Sequence, residues 1–227
     1  MQEPPSPPPQ QHPRPWPLIR RRHVWWPTWR AWLCLLALSL GLSLWLGRGL
    51  HSFLAVTRPV PADILVVEGW VPDTVLKSAM AEFDRGQYKL IVASGGPRPR
   101  GHLTSDYPTY AAETAASLRK LGLADGTLVE APGEATLRDR TFHSAEAVRN
   151  KLADLGVTPL GLNVITEGPH ARRTWTVFRR VFGQAVKVGI ISCEPVEYDP
   201  ARWWSSSEGM KHTVIEAIGW FHDLLFC

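Results

Sequence analysis

Cysteine is scarce in this chain, and the few cysteines lie far apart. Among 227 residues there are three, Cys34, Cys193 and Cys227. Their wide spacing fits neither a zinc cluster nor a redox CxxC pair, and three cysteines make no disulfide framework. The histidines and acidic residues show no metal-ligand spacing either. We therefore predict unpaired structural thiols and no metal site.

Acidic residues are nearly missing from the N-terminal segment. Residues 1–30 contain five arginines against the single acid Glu3, a net charge of +4, which equals the net charge of the whole chain. Residues 31–227 therefore have no net charge. Because a neutral domain lacks the electrostatic attraction on which nucleic-acid binding depends, we expect no nucleic-acid partner.

Several signatures of well-known enzyme classes are also absent. The sequence has no GxxxxGK(S/T) phosphate loop, no GxGxxG after a strand, no GxSxG nucleophile elbow and no HExxH pair. These absences disfavour a nucleoside triphosphatase, a standard dinucleotide enzyme and an α/β-hydrolase. Whether the protein is an enzyme at all stays open at this point.

The front of the chain divides into an arm and an apolar run. Residues 4–17 hold eight prolines and little that a core could bury, so we predict a disordered arm, rich in Pro, Arg and Trp, over residues 1–30. Residues 31–47 carry no charge and would span about 25 Å as a helix, close to the thickness of the hydrocarbon core of a bilayer. We predict a transmembrane anchor over residues 31–50. A cleaved signal peptide and a buried soluble helix are the alternatives.

Arginines flank the predicted anchor unequally. Five precede it, whereas only Arg48 and Arg58 follow it closely. By the positive-inside rule, the arm is expected in the cytoplasm and the following domain on the outer, periplasmic side of the plasma (inner) membrane.

From residue 60 onward, short β-branched runs alternate with segments of helical periodicity. The predicted strands cover residues 63–67, 90–93, 127–130, 163–166 and 186–191, and the predicted helices cover residues 74–85, 107–121, 137–155, 171–182 and 208–225. This alternation is typical of a parallel sheet with helices on both faces. We predict one three-layer, doubly wound, Rossmann-like α/β domain over residues 60–227.

Polar and glycine residues follow the predicted strands at the edge where such folds bind ligands. Glu68-Gly69-Trp70 follows the first strand, Ser94-Gly95-Gly96 the second, and Glu167 and His170 the fourth. The glycines allow backbone N–H groups to approach an anion closely, although a tight turn alone would also use them. We therefore assign Glu68, Gly69, Ser94, Gly95 and Gly96 to a ligand site.

His170-Ala171-Arg172-Arg173 opens the helix after the fourth strand. A helix N-terminus favours negative charge, and arginine binds phosphate or carboxylate groups bidentately. Arg172 and Arg173 are both candidates, and one of them is expected to face the crevice because neighbouring helical residues point about 100° apart. His170 is the candidate general acid or base. A solvated basic first turn is the alternative.

Two further segments contribute candidates. Asp139-Arg140-Thr141 leads into a helix, with Asp139 as its expected N-cap and Arg140 either paired with an acid or facing the ligand. Trp203 and Trp204 lie in a polar-aromatic loop before the last helix. Trp203 is predicted to contact a ligand; otherwise the two rings cover the edge of the core while Ser206 or Ser207 caps the helix.

These motifs, taken in order, resemble the ElyC/SanA/YdcF-type family of bacterial envelope proteins, which share a domain of unknown function. The resemblance covers about residues 60–225 and rests on residues 64–69, 94–96, 139–141 and 170–173. Residues 68–73, 170–174 and 198–204 resemble a membrane-anchored subfamily.

The resemblance implies a Rossmann-like fold behind an N-terminal membrane helix, and a link to peptidoglycan or lipid-carrier metabolism. One branch of the family is associated with S-adenosylmethionine, which makes that molecule the cofactor that the resemblance implies. Family members carry an acid early in the helix after the second strand, where this chain has Tyr110 with Asp106 and Glu113 nearby.

Three functions are compatible with these observations. The first is an envelope protein that binds and processes a phosphate- or carboxylate-bearing precursor, either free or lipid-linked. The second is a non-catalytic binding or regulatory module that uses the same crevice. The third is an S-adenosylmethionine-binding protein, for which an outward-facing domain is the wrong compartment.

Overall fold

The computed structural model describes residues 27–98 and 106–226. The predicted disordered arm falls almost entirely outside these residues. The chain divides into two compact units, Met1–Leu42 and Ser43–Cys227. Helix α1 (Trp29–Leu54) runs through the boundary between them. In the described residues, α1 is the one helix that is long and apolar enough to cross a membrane.

Helix α1 continues past the predicted end of the anchor at residue 50. Its last turn is part of the second unit, where His51 and Leu54 are buried and the His51 ring lies 3.0 Å from the Tyr198 hydroxyl. The segment that follows α1 pairs with the sheet, since Arg58 N–H donates to the Ile190 carbonyl. The folded unit therefore begins before residue 60. Polar residues such as His51, which follow the apolar run, are buried in this unit.

The second unit contains five parallel strands in the order β3-β2-β1-β4-β5. The strands are β1 (Ile64–Glu68), β2 (Leu90–Gly95), β3 (Leu128–Pro132), β4 (Gly161–Glu167) and β5 (Lys187–Cys193). All five residues of β1 are buried, and the first four are apolar, as expected for a strand at the centre of a parallel sheet. The predicted doubly wound α/β fold is confirmed.

Helices cover both faces of the sheet. They are α2 (Asp73–Arg85), α3 (Tyr110–Lys120), α4 (Arg140–Asp154), α5 (Ala171–Phe182) and α6 (Ser207–Phe226), with short 3-10 turns at Asp125–Thr127, Gly168–His170 and Pro200–Ser205. Alternate residues of β1 point to opposite faces: Leu65 packs with the α2 and α3 side, and Val66 with the α4 and α5 side.

Two helices begin later than predicted. Helix α3 starts at Tyr110 because the Thr109 hydroxyl caps it by accepting from Ala112 N–H at 3.1 Å. Helix α4 starts at Arg140 because Asp139 adopts a left-handed conformation, with φ 51°. Leu137, which the prediction placed in this helix, is fully exposed and has no core to hold it there.

The strand order places a switch point at the middle of the sheet. The chain moves outward from β1 to β2 and β3, then returns to β4 on the other side of β1. Loops that leave the carboxyl ends of β1 and β4 therefore diverge and open a crevice between them. This crevice is where the candidate site lies.

Candidate functional site

A cavity of about 890 Å³ occupies the crevice at the carboxyl ends of the strands. Its lining comes from the loops after β1, β2, β3 and β4, from the first turns of α4 and α5, and from one side of α6. Pockets that bury small molecules have volumes in this range. Eight residues assigned to the site from sequence line it: Glu68, Gly95, Gly96, Asp139, Arg140, Thr141, His170 and Arg173.

Close backbone approach shapes the glycine end of the cavity. Gly95 has φ +146°, and a Cβ at this position would lie 2.7 Å from Cβ of Tyr110. Tyr110 N–H donates to the Gly96 carbonyl at 3.0 Å, and Gly133 N–H donates to the Gly95 carbonyl at 3.2 Å. Position 95 therefore requires glycine, because any side chain there would push α3 away from β2.

Glu68 and His170 form the centre of a buried polar network beneath the cavity. The Glu68 carboxylate accepts hydrogen bonds from the Thr166 and Thr174 hydroxyls, the latter at 3.2 Å. Its Oε1 atom also lies 3.5 Å from Nε2 of His170. On the other side of the ring, Nδ1 of His170 lies 2.9 Å from Oε2 of Glu216. Both ring nitrogens thus face carboxylates.

The electrostatics of this network change the role expected of His170. Burial opposes a charge on the ring, but the carboxylates of Glu68 and Glu216 outweigh it and raise the pKa of His170 to about 10. The ring is therefore a cation at neutral pH, and it has no lone pair with which to accept a proton. The interpretation of His170 as a general base does not fit this geometry; it holds the two carboxylates in place.

Helix α6 supplies a wall of the cavity that the sequence reasoning missed. Glu216 pairs with His170, and Asp223 accepts a hydrogen bond from Nε of Arg173 at 2.7 Å. Burial raises the pKa of Glu216, but His170 and Arg173 together lower it below its ordinary value. The missed signal was the four-residue spacing of Glu208, His212 and Glu216, which places three titratable side chains on one face of a helix.

Another cation, Arg140, lines the cavity at the start of α4. Arg140 is exposed and has no carboxylate partner among the described residues, in contrast to Arg173 and Arg98, whose partners are Asp223 and Glu113. Thr141 is buried beside it. Asp139 occupies the predicted N-cap position, and its carbonyl accepts from His143 N–H at 3.1 Å, but its side chain makes no capping hydrogen bond to the helix. The free N–H groups and dipole of a helix start favour a bound anion near Arg140.

Arg172 and Trp203 lie away from the cavity, contrary to their predicted contact with a ligand. Arg172 stacks on the Phe53 ring, 3.8 Å from its centroid, and donates to the Phe53 carbonyl, so it binds the end of α1. Trp203 is buried against its neighbour Trp204, and the Ser206 hydroxyl accepts from Gly209 N–H at the start of α6. The alternative of an edge-covering loop with a serine cap describes this segment.

Ser94 and Gly69 support the site without lining it. The Ser94 hydroxyl is fully buried and donates to the Val67 carbonyl at 3.3 Å. A Cβ on Gly69 would lie 2.5 Å from the Ser94 carbonyl oxygen. Both residues therefore serve the close packing of β1, β2 and α3, which explains their small size without a ligand contact.

A group of possible metal ligands lies at the rim of the cavity. The donor atoms of Glu197, Glu208 and His212 all lie within 4.8 Å of one another. The sequence prediction missed this proximity because a loop brings Glu197 next to α6. Exposed carboxylates at such distances are common without an ion, so we assign no metal to the group.

No protein-family model matches this chain, and no curated protein matches it either. The resemblance to the ElyC/SanA/YdcF-type family therefore stays a prediction, and the function has to be argued from the site.

Proposed function

We propose that the domain binds a small anionic ligand, bearing a phosphate or carboxylate group, in the cavity between the β1 and β4 loops. The observation that carries the proposal is Arg140, a cation at a helix start that faces the cavity and has no carboxylate partner among the residues described. An unpaired arginine opposes the helix dipole, and a bound anion would offset this cost.

The charges around the cavity orient the ligand. The buried network contains three carboxylates, Glu68, Glu216 and Asp223, against the two cations His170 and Arg173. This wall is therefore negative at neutral pH, and it disfavours an anion on its side. We therefore place the anionic group near Arg140 and the Gly95–Gly96 backbone, which also line the cavity. The remainder of the ligand would then lie toward Trp70 and Ile215, whose side chains are apolar and line the cavity.

The same proposal places the protein in the cell envelope. The apolar helix α1 would anchor it in the plasma membrane, with the arginine-rich arm in the cytoplasm and the domain outside. An outward-facing site that binds anions suits a precursor of envelope polymers, in line with the family resemblance. Membership of the ElyC/SanA/YdcF-type family is part of this proposal.

Processing of the ligand is a second candidate, and Glu167 favours it. This residue lines the cavity at the end of β4, and burial raises the pKa of its carboxyl group. A carboxyl group that keeps its proton closer to neutral pH can donate it to a leaving group. Because both ring nitrogens of His170 face carboxylates, Glu167 is the better candidate for this role.

The binding proposal is tested with the full-length protein in nanodiscs and with inorganic phosphate and pyrophosphate as probes. Calorimetry should show saturable binding that Arg140→Ala weakens by about tenfold or more, since a charge-assisted hydrogen bond contributes about 1.5–3 kcal/mol. Arg138→Ala removes the same charge two positions away, outside the cavity lining, and should change the Kd by less than about twofold. Equal binding by the parent chain and Arg140→Ala would refute the assignment.

A further inference from the structure

The last three turns of α6 carry large apolar side chains on their exposed face. Ile218 is 64% exposed and Leu225 is 70% exposed. The exposed apolar residues, which we call the α6 face, are Val214, Ile215, Ile218, Phe221, Leu224 and Leu225. Residues 214, 218, 221 and 225 follow one another at spacings of four, three and four, which places them in one stripe along the helix.

The polarity of this helix is reversed relative to an ordinary surface helix. Its acids point inward, where Glu216 pairs with His170 and Asp223 with Arg173. Between residues 214 and 225 these two are the only Asp, Glu, Lys or Arg residues, so the outward face has no charge of these types. A surface helix that buries its acids and exposes isoleucine and leucine needs an apolar environment on the outside.

The end of α1 identifies that environment. The Phe53 ring packs edge-on against Trp220 of α6, with the ring centroids 5.3 Å apart. Five residues earlier, Arg48 lies over the ring of Trp204 in the 3-10 turn before α6, 4.9 Å from its centroid. The uncharged run of α1 ends at Gly47, so both contacts lie within six residues of the point where the chain would leave a bilayer. Tryptophan and arginine are the residues expected at the level of the lipid headgroups.

We propose that the α6 face lies in the surface of the membrane that α1 spans, with its apolar side chains at the boundary between headgroups and acyl chains. This inference rests on the membrane anchoring in the proposed function. Because α1 already holds the domain at the membrane, the α6 face meets the lipid at a high effective concentration. A modest apolar area is therefore sufficient for this second contact. Ile215 belongs both to this face and to the cavity lining, so the cavity opens beside the lipid surface.

The test measures the depth of spin labels in the full-length chain. Cys34, Cys193 and Cys227 are first replaced by serine, and thermal unfolding verifies that the fold is kept. Single labels then enter through Ile218→Cys, Phe221→Cys, Leu38→Cys in α1 and Lys77→Cys on the exposed side of α2. The protein is reconstituted in vesicles of phosphatidylethanolamine and phosphatidylglycerol. Relaxation by oxygen, which enters lipid, is compared with relaxation by a water-soluble nickel chelate.

The outcomes separate the two proposals. Labels at 218 and 221 should show an oxygen-to-nickel ratio severalfold above that at 77 and close to that at 38. A ratio at 218 equal to that at 77, with label 38 in lipid, overturns the α6 contact and leaves the anchor intact. A label at 218 shielded from both agents would indicate a protein partner and also overturn it. A label at 38 in water overturns the anchor.

Discussion

Two groups of charged residues at the cavity differ in how their charges are paired. At the start of α4, Arg140 is exposed and has no carboxylate partner among the described residues. At the α6 wall, His170 and Arg173 are held between Glu68, Glu216 and Asp223. Paired and buried charges are costly to break, because removing one leaves its partners buried and uncompensated. An unpaired charge at the mouth of a cavity is available to a ligand. We therefore expect His170 and Arg173 to serve mainly the structure, and Arg140 to serve ligand binding.

The largest effect is expected from His170→Ala. This change leaves the buried carboxylates of Glu68 and Glu216 without the cation between them, and we expect a loss of about 3–5 kcal/mol in the free energy of unfolding. Denaturant unfolding of the full-length protein measures it. His143→Ala removes a half-exposed histidine from the same cavity and should cost less than about 1 kcal/mol. Similar losses of unfolding free energy in both variants would contradict the distinction between the buried, paired charges and the other residues of the cavity.

The pairing of His170 with Glu68 and Glu216 should make the free energy of unfolding depend on pH. The pKa of His170 rises from 6.5 in the unfolded chain to about 10 in the folded one, so the folded state binds the extra proton between these values. The stabilisation is complete below about pH 6.5 and is lost as the pH rises toward 10, at up to about 1.4 kcal/mol per pH unit. Unfolding curves at several pH values measure the slope. His170→Gln should remove most of it, and an unchanged slope in that variant would contradict the assignment.

Arg173→Ala should have an intermediate effect on stability. It removes the hydrogen bond to Asp223 at 2.7 Å and part of the charge that balances Glu216, for an expected loss of about 1–3 kcal/mol. Arg179→Ala is a matched control on the same helix, where the side chain stacks on Trp175 and should contribute less than about 1 kcal/mol. If the Arg179 variant were the less stable of the two, the wall would not depend on Arg173 as described.

The smallest effect on stability is expected at the start of α4. Arg140→Ala should leave the free energy of unfolding within about 0.5 kcal/mol of the parent chain, because the side chain is exposed and has no carboxylate partner in the described ranges. The same variant is expected to lose about tenfold or more in pyrophosphate affinity. A clear loss of stability would show that Arg140 belongs to the structural group.

The sequence reasoning located the cavity residues at strand ends and helix starts and missed those on α6. Gly95, Gly96 and Arg140 follow strands or open a helix, so their position at the carboxyl edge follows from the strand order in the chain. Glu216 and Asp223 lie on a helix that follows the last strand, and nothing local indicates that this helix folds back over the loop after β4. Arg172 was assigned to the crevice with Arg173 because the helical repeat separates their directions but does not say which one faces the cavity.

The sequence by itself determined the parts of this protein that depend on local patterns. The apolar run of α1, the alternation of strands and helices, and the glycines at the strand ends all follow from periodicity and backbone preference. Only the tertiary structure decided which charges are paired. Burial beneath α6 places His170 between two carboxylates and raises its pKa, whereas Arg140 stays exposed at the cavity. Interactions between charges depend on distance and on exclusion of water, and both are set when distant segments pack together.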